Sequence, residues 1–173
     1  TGCNTVIGSR ENVVYRQTPR ENNDVNEVWM CDYGRLNFHY LHADDRILAP
    51  SVNGQPSGWN AALAAAADAL KSADADDIAI VASGRMTNEE LYLAKRLAGA
   101  LGVTHFDIVP REGEGDALLL SADRNPNTAG AKLLGLATGK LGAMAKKRFR
   151  VVLALSEDPA ACGFDLSAAE KVV

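Results

Sequence analysis

Ile78-Ala79-Ile80-Val81-Ala82-Ser83-Gly84-Arg85-Met86-Thr87-Asn88-Glu89-Glu90 is the stretch that decides the fold. An unbroken apolar run, Ile78–Ala82, suits a strand covered on both faces, which is the habit of parallel sheets. It runs into a Ser-Gly turn and then a helix start. Thr87 and Glu90 stand three apart, so each side chain can reach the other's backbone N–H. This capping box predicts a helix over Asn88–Leu101, closed by Gly102. A strand followed at once by a helix requires a second parallel strand beyond it.

Working outward, Phe106–Val109 supplies that strand and Arg150–Leu155 a third. Upstream, Trp59, Leu63, Ala66, Ala67 and Leu70 fall at helical spacing, predicting a helix over Gly58–Ser72 with Ser57 as its cap. Downstream, Asp123–Thr128 reads as a turn, and helices are expected over Ala129–Leu136 and Gly139–Lys147. A helical pattern begins again at Ser167. Ala117–Ser121 fits either a strand or the start of a helix.

The first part of the chain has a different texture. Thr5–Ile7 and Val13–Tyr15 read as short strands around the polar turn Gly8–Asn12. Gln17–Asn26 has loop composition, and Leu36–Leu41 reads as a short helical turn. This segment is too small and polar to bury a large core, so it is expected to dock or to use a metal as a staple. Pro50–Gly58 is a turn-rich joint. Two domains are therefore expected, residues 1–48 and residues 49–173, in an α/β fold.

The 173 residues are 47% hydrophobic and 23% charged, ordinary values for a globular chain. No apolar run approaches a membrane span, and no signal-peptide pattern opens the chain. A net charge of −4 disfavours nucleic-acid binding and anionic membranes. The cluster Lys146, Lys147, Arg148 and Arg150 reads as the solvated end of a helix. Three cysteines, Cys3, Cys31 and Cys162, make a poor disulfide framework and fit a reducing, cytoplasmic setting.

Thiolates suit iron–sulfur clusters because soft sulfur donors suit iron. Cys3 lies in a Gly-containing turn and Cys31 in a second turn, with two short strands between. By cysteine count alone, cluster ligands and two ordinary thiols stand level. Elsewhere, Ser83, Gly84, Arg85 and Asn88 lie between a strand end and a helix start, where unpaired N–H groups attract anions. Ordinary capping is the plainer reading there, and no Gly-x-Gly-x-x-Gly run is present. His39 and His42 stand three apart on a possible helical turn, which suits a metal or simple packing. His105 reads as a loop residue, and Cys162 as a small core residue. Asp107, with Glu112 to Asp116, reads as a solvated acidic face.

The residues around the cysteines carry a resemblance. Thr1-Gly2-Cys3-Asn4 is similar to the tail of a C-x-x-C-x-x-x-C run, and Trp29-Met30-Cys31-Asp32-Tyr33-Gly34-Arg35 to a segment with a fourth cysteine. With Pro19-Arg20, Asp24–Glu27, Asp45-Arg46, Ser83-Gly84-Arg85, Thr87–Glu90 and Asn125-Pro126-Asn127, they resemble the large iron–sulfur subunit of bacterial NADH-quinone oxidoreductase, the respiratory complex I. The chain looks like an internal fragment of such a subunit.

The resemblance implies a small β-rich iron–sulfur subdomain followed by a parallel-sheet, three-layer domain like that of molybdopterin oxidoreductases, incomplete at its C-terminal end. It implies that Cys3 and Cys31 are the third and fourth ligands of a 4Fe-4S cluster in the parent, which passes electrons from NADH toward quinone. With the first two ligands outside the chain, the isolated fragment is expected to hold no cluster and to be inactive. Expected partners are other subunits of the peripheral arm of complex I, on the cytoplasmic side of the inner membrane, with no direct membrane insertion. Molybdopterin is not expected: Tyr33 stands where molybdenum enzymes commonly have Lys, and Glu157-Asp158-Pro159 would set carboxylates beside a cofactor phosphate. The alternatives are a fragment of a molybdopterin-dependent formate dehydrogenase and a purely structural scaffold.

Overall fold

In the computed structural model, which describes residues 2–116 and 121–173, the chain divides into two units, Thr1–Pro50 and Ser51–Val173. The first is built on an antiparallel hairpin, β1 (Thr5–Arg10) and β2 (Val13–Pro19). Glu11 and Asn12 form its two-residue loop with φ of 51° and 63°, the left-handed pair that a mirror-image turn requires. This tight turn lets pairing run on to Arg10, so the polar stretch expected to be turn from Gly8 is mostly strand. A bulge interrupts the register between Gly8 and Ser9. There the Arg16 stem crosses Gly8 so closely that a Cβ would lie 2.9 Å from its Cγ.

Beyond β2, an Asn22–Glu27 bridge closes a turn. The helical residues then fall in α1 (Asp32–Leu36) and a 3-10 turn, His39–His42, which overlap the two ends of the expected turn over Leu36–Leu41 and leave Asn37 and Phe38 between them. Phe38 is the one buried hydrophobic residue among the described residues of this unit. Val6, Ile7, Tyr15, Trp29, Tyr33 and Leu36 are exposed.

The second unit opens with a minimal hairpin, β3 (Ser51–Val52) and β4 (Gln55–Pro56). It continues as α2 (Trp59–Lys71), β5 (Ile78–Ser83), α3 (Asn88–Leu101), β6 (Phe106–Val109), α4 (Thr128–Leu133), α5 (Leu141–Met144), β7 (Val151–Leu155) and β8 (Lys171–Val172). The last four-stranded sheet has the order β6-β5-β7-β8 and is parallel throughout. Its strands divide their side chains by alternation. Ile78, Ile80, Phe106, Ile108, Val151 and Leu153 join Leu91, Ala94 and Ala98 of α3 in one core cluster. Ala79, Val81, Val109 and Val152 join Leu141, Met144, Phe149 and Phe164 in another. Helices thus cover both faces, and both elements of the opening stretch, strand and capped helix, stand as its sequence indicates.

Four expectations are corrected. Ser57 does not cap α2: Gly58 is the cap residue, without a side-chain bond, and Ser57, one position early, points its hydroxyl at the Gly58 carbonyl. The helix expected to Leu136 ends at Leu133, followed by Gly135 at φ 74°, a left-handed position that glycine adopts without strain. The helix expected over Gly139–Lys147 is reduced to α5, because the N–H groups at its start bind the Asp107 carboxylate and the chain must then bury Phe149. The helix expected from Ser167 is a 3-10 turn, Leu166–Ala168, followed by β8. Val173 N–H bonds the Val152 carbonyl at 2.9 Å, so sheet pairing wins over local helical periodicity. Of the ambiguous segment Ala117–Ser121, residues 117–120 lie outside the described residues.

Candidate functional site

In the first unit, Cys3 is half-buried and lies just before β1, while Cys31 is exposed and caps α1. Arg20 N–H bonds the Asn4 carbonyl at 3.0 Å, extending the hairpin to the residue beside Cys3. Cys31 has an extended backbone (φ −71°, ψ 154°), and its Sγ accepts the Gly34 N–H at 3.5 Å. Backbone N–H groups aimed at sulfur are a standing feature of cluster ligands, where they set the potential.

One side chain bonds both cysteine-bearing segments. Asn26 Oδ1 accepts the Asn4 N–H at 2.9 Å, and its Nδ2 donates to the Trp29 carbonyl at 3.0 Å. Among the described residues no group of three or more His, Cys, Asp or Glu converges as a metal site. The two thiols of this unit are free, one just before β1 and one at the start of α1, and the second already receives an N–H; soft sulfur donors of this kind are what an iron–sulfur cluster uses. His42 spends its Nε2 on the Val14 N–H at 2.9 Å, and His39 stacks on Phe38. The packing reading therefore holds for both rings.

At the carboxyl end of the second unit's sheet, where Ser83, Gly84, Arg85 and Asn88 lie, Gly84 and Asn88 meet the Asn125-Pro126-Asn127 loop. A Cβ on Gly84 would lie 2.5 Å from Asn125 Cγ, so this glycine exists for the close approach. Asn125 Nδ2 donates to the Val109 carbonyl at 2.9 Å. Asn127 Nδ2 donates to the Met86 carbonyl and to Asn88 Oδ1. The Ser83 hydroxyl accepts the Arg85 N–H at 3.2 Å and bonds Glu157. Among these four residues Arg85 and Asn88 are exposed.

Glu157 does not face an open phosphate subsite. Ser156, at φ 57°, turns the chain back so that Glu157 meets Arg111 in a two-pronged pair of 2.6 and 2.8 Å. Burial raises the Glu157 pKa, but hydrogen bonds from Arg111 and Ser83 and the charges of Arg111 and Arg85 outweigh it. The carboxyl ends below its ordinary range. Asp158 accepts the Ala160 and Ala161 N–H groups in a local turn. Cys162 packs partly buried against the second core cluster, and burial together with the Glu157 charge raises its pKa.

Asp107 is a further correction. It belongs to β6, is 1% exposed, and accepts N–H groups from Ile108, Thr138 and Leu141 at 2.8–2.9 Å. Glu112 to Asp116 are exposed, as expected for the rest of that acidic face. A cavity of about 830 Å³ opens beside this network, lined by Asp107, Arg111, Asn125, Lys132, Thr138 and Cys162 among others. Sequence reasoning missed Arg111 and Asp107; an acid inside the apolar strand Phe106–Val109 was the signal available for the second. His105 lies beside Lys147 and Phe149, and burial followed by the Lys147 charge holds its pKa below the usual value.

Residues 1–39 match the family described as NADH-ubiquinone oxidoreductase NDSU1/NuoG-like, 4Fe-4S domain. The chain is 37% identical, over 65% of its length, to the NADPH-Fe(3+) oxidoreductase subunit alpha of Geobacter sulfurreducens, of which it covers 14%. It is 33% identical, over 56% of its length, to the G subunit of NADH-quinone oxidoreductase from Streptomyces coelicolor, of which it covers 12%. It is 30% identical, over 57% of its length, to the F420-dependent formate dehydrogenase 2 subunit alpha of Methanococcus maripaludis, of which it covers 15%. The chain thus spans about one seventh of the curated relatives it matches.

Proposed function

We propose that this chain, whose residues 1–39 match the NuoG-like 4Fe-4S domain family, is an electron-transfer segment of an NADH-quinone oxidoreductase. In this reading Cys3 and Cys31 are two of the four thiolate ligands of a 4Fe-4S cluster. Cys162 packs against a core cluster of the second unit, and the reading leaves the remaining ligands to residues outside this sequence. Bound there, the cluster would take up and release one electron at a time. The chain's own part is to hold two sulfurs, one just before β1 and one at the start of α1, aim the Gly34 N–H at the second, and fix the segments that carry them.

The observation that carries the reading is the pairing of the family match with the poverty of the first unit's core. Phe38 alone is buried among its described hydrophobic residues. A segment of this size with so little buried apolar surface draws its order from a metal staple or a partner. Residues 1–48 would be the cluster-binding domain. Residues 49–173 would be a molybdopterin-oxidoreductase-like domain whose sheet end is occupied by its own polar network. The exposed Val6, Ile7, Tyr15 and Trp29 suit burial against neighbouring subunits of the complex's peripheral arm, on the cytoplasmic face of the membrane. No helix among the described residues is long and apolar enough to cross a membrane.

The test is made in the longer subunit that contains this segment. Cys31→Ser should remove the iron and sulfide of one four-iron cluster together with its electron paramagnetic resonance signal. Unchanged iron content and an unchanged spectrum would overturn the assignment. The formate dehydrogenase relative favours a second reading, a pterin enzyme, which measured molybdenum or tungsten in that subunit would establish.

A further inference from the structure

Asn26 sits in the turn between the two cysteines, bonded on both sides of its amide. Its Oδ1 takes the N–H of Asn4, the residue after Cys3, at 2.9 Å. Its Nδ2 donates to the carbonyl of Trp29, two residues before Cys31, at 3.0 Å, and lies 3.4 Å from the Arg20 carbonyl. The Trp29 N–H returns to the Asn26 carbonyl at 2.8 Å, and the Asn26 N–H bonds the Asn22 carbonyl at 3.0 Å. The orientation of the amide is settled by its partners. Turned over, it would set a donor against the Asn4 N–H and an acceptor against two carbonyls.

Position 26 therefore needs an acceptor on one side and a donor on the other at the reach of one short side chain. Asp keeps the acceptor but sets an oxygen against the Trp29 carbonyl. Gln carries both groups but adds a methylene that moves them. Neighbouring residues of the turn lack this double connection. The Asn22 side chain accepts the Asp24 N–H within the turn at 3.0 Å, and its backbone carbonyl gathers the N–H groups of Val25, Asn26 and Glu27. Asn22 thus shapes the turn, whereas Asn26 fastens the turn to both cysteine-bearing segments.

We infer that Asn26 is the positioning residue that sets the spacing of Cys3 and Cys31, and through it the geometry of the cluster they would share; this rests on the ligand assignment proposed above. A cuboidal cluster tolerates only a narrow range of sulfur positions, and outer groups that orient its ligands tune both retention and potential. Without the Asn26 amide, the Asn4 and Trp29 ends of the segments lose their common fastening. The β1–β2 ladder, which does not use Asn26, stays paired.

The first experiment needs no cluster. In the full 173-residue chain carrying Cys162→Ser, a short two-headed thiol alkylator links Cys3 to Cys31, and the rate of linking reports their spacing. Asn26→Ala should slow linking about tenfold, the equivalent of one to two lost hydrogen bonds. Asn26→Asp should fall between, and Asn22→Ala should link as fast as the parent. Amide-exchange protection of Val6 and Thr18, a hydrogen-bonded pair of the ladder, should be unchanged in all of them, showing that the hairpin remains.

The second experiment uses the intact subunit, where Asn26→Asp should shift the midpoint potential and the resonance signature of the cluster while Asn22→Ala leaves both alone. If Cys31→Ser in the intact subunit leaves the iron content and the spectrum unchanged, the ligand assignment fails. If the parent links and Asn26→Ala links equally fast, or if Asn22→Ala slows linking as much, the role of Asn26 fails and the ligand assignment stands.

Discussion

Replacing Asp107 should show how the second unit is held together. The carboxylate is 1% exposed, and its partners are the N–H groups of Ile108, Thr138 and Leu141 at 2.9, 2.9 and 2.8 Å. Two of these lie at or just before the start of α5, so the side chain pins that turn to β6. Asp107→Ala removes an ionised acceptor from three donors. Thr138 is exposed and can turn to water, whereas Ile108 is buried and its N–H loses its acceptor. Leu141 is buried, and its N–H is left without a partner. Hydrogen bonds to a charged group contribute ~1.5–3 kcal/mol each and a stranded buried donor costs ~1–3 kcal/mol, so the net loss should be about 3 kcal/mol. That corresponds to a fall of roughly 10 °C in the melting temperature of a unit this size.

Asp107→Asn is the sharper variant. It preserves shape and one acceptor, but its amide sets a donor against the Leu141 N–H, so it should cost about 2 kcal/mol. Urea unfolding followed by far-UV circular dichroism reads mainly this unit, which holds most of the helix. The midpoint should fall with an unchanged slope, and exchange at the Leu141 amide should accelerate most. An Asn variant within about 0.5 kcal/mol of the parent would refute the reasoning, because the three-donor clamp would then contribute no more than an ordinary surface group.

Two further outcomes follow from the sheet-end network. Glu157→Gln should cost about 2 kcal/mol at neutral pH, as expected for a largely buried ion pair with one member partly exposed. Its folded pKa is depressed, so the stabilisation is present above the unfolded carboxyl pKa and is lost as pH falls through the folded one. The difference between parent and variant in urea melts should therefore shrink below about pH 4, and a difference constant from pH 7 to pH 3 contradicts the pairing. Gly84→Ala should cost about 2 kcal/mol because its Cβ meets Asn125. Combined with Asn125→Ala, it should cost clearly less than the sum of the two single variants, whereas strict additivity would place the strain elsewhere.

Features that depend on near neighbours were legible in the chain itself. The run Ile78–Ala82 indicated a strand buried on both faces, and Thr87 with Glu90 formed the expected box, with bonds of 2.8 and 3.2 Å. The residues within a few positions of each sulfur carried the resemblance to the family whose description residues 1–39 match. Features that depend on which elements meet were settled only by packing. Arg111 and Glu157 stand 46 positions apart, and no local pattern pairs them. Asp107 looked like part of a solvated acidic face until the chain at 138–141 folded over it. The segment after Ser167 has helical spacing, yet it lies beside the free edge of β7, whose unpaired N–H and C=O groups draw it into β8. Asn26 in a polar turn gave no local sign that its amide would touch both cysteine segments. Short-range preferences act through one or two turns of chain, whereas the identity of a buried partner is set by the contacts that the whole fold creates.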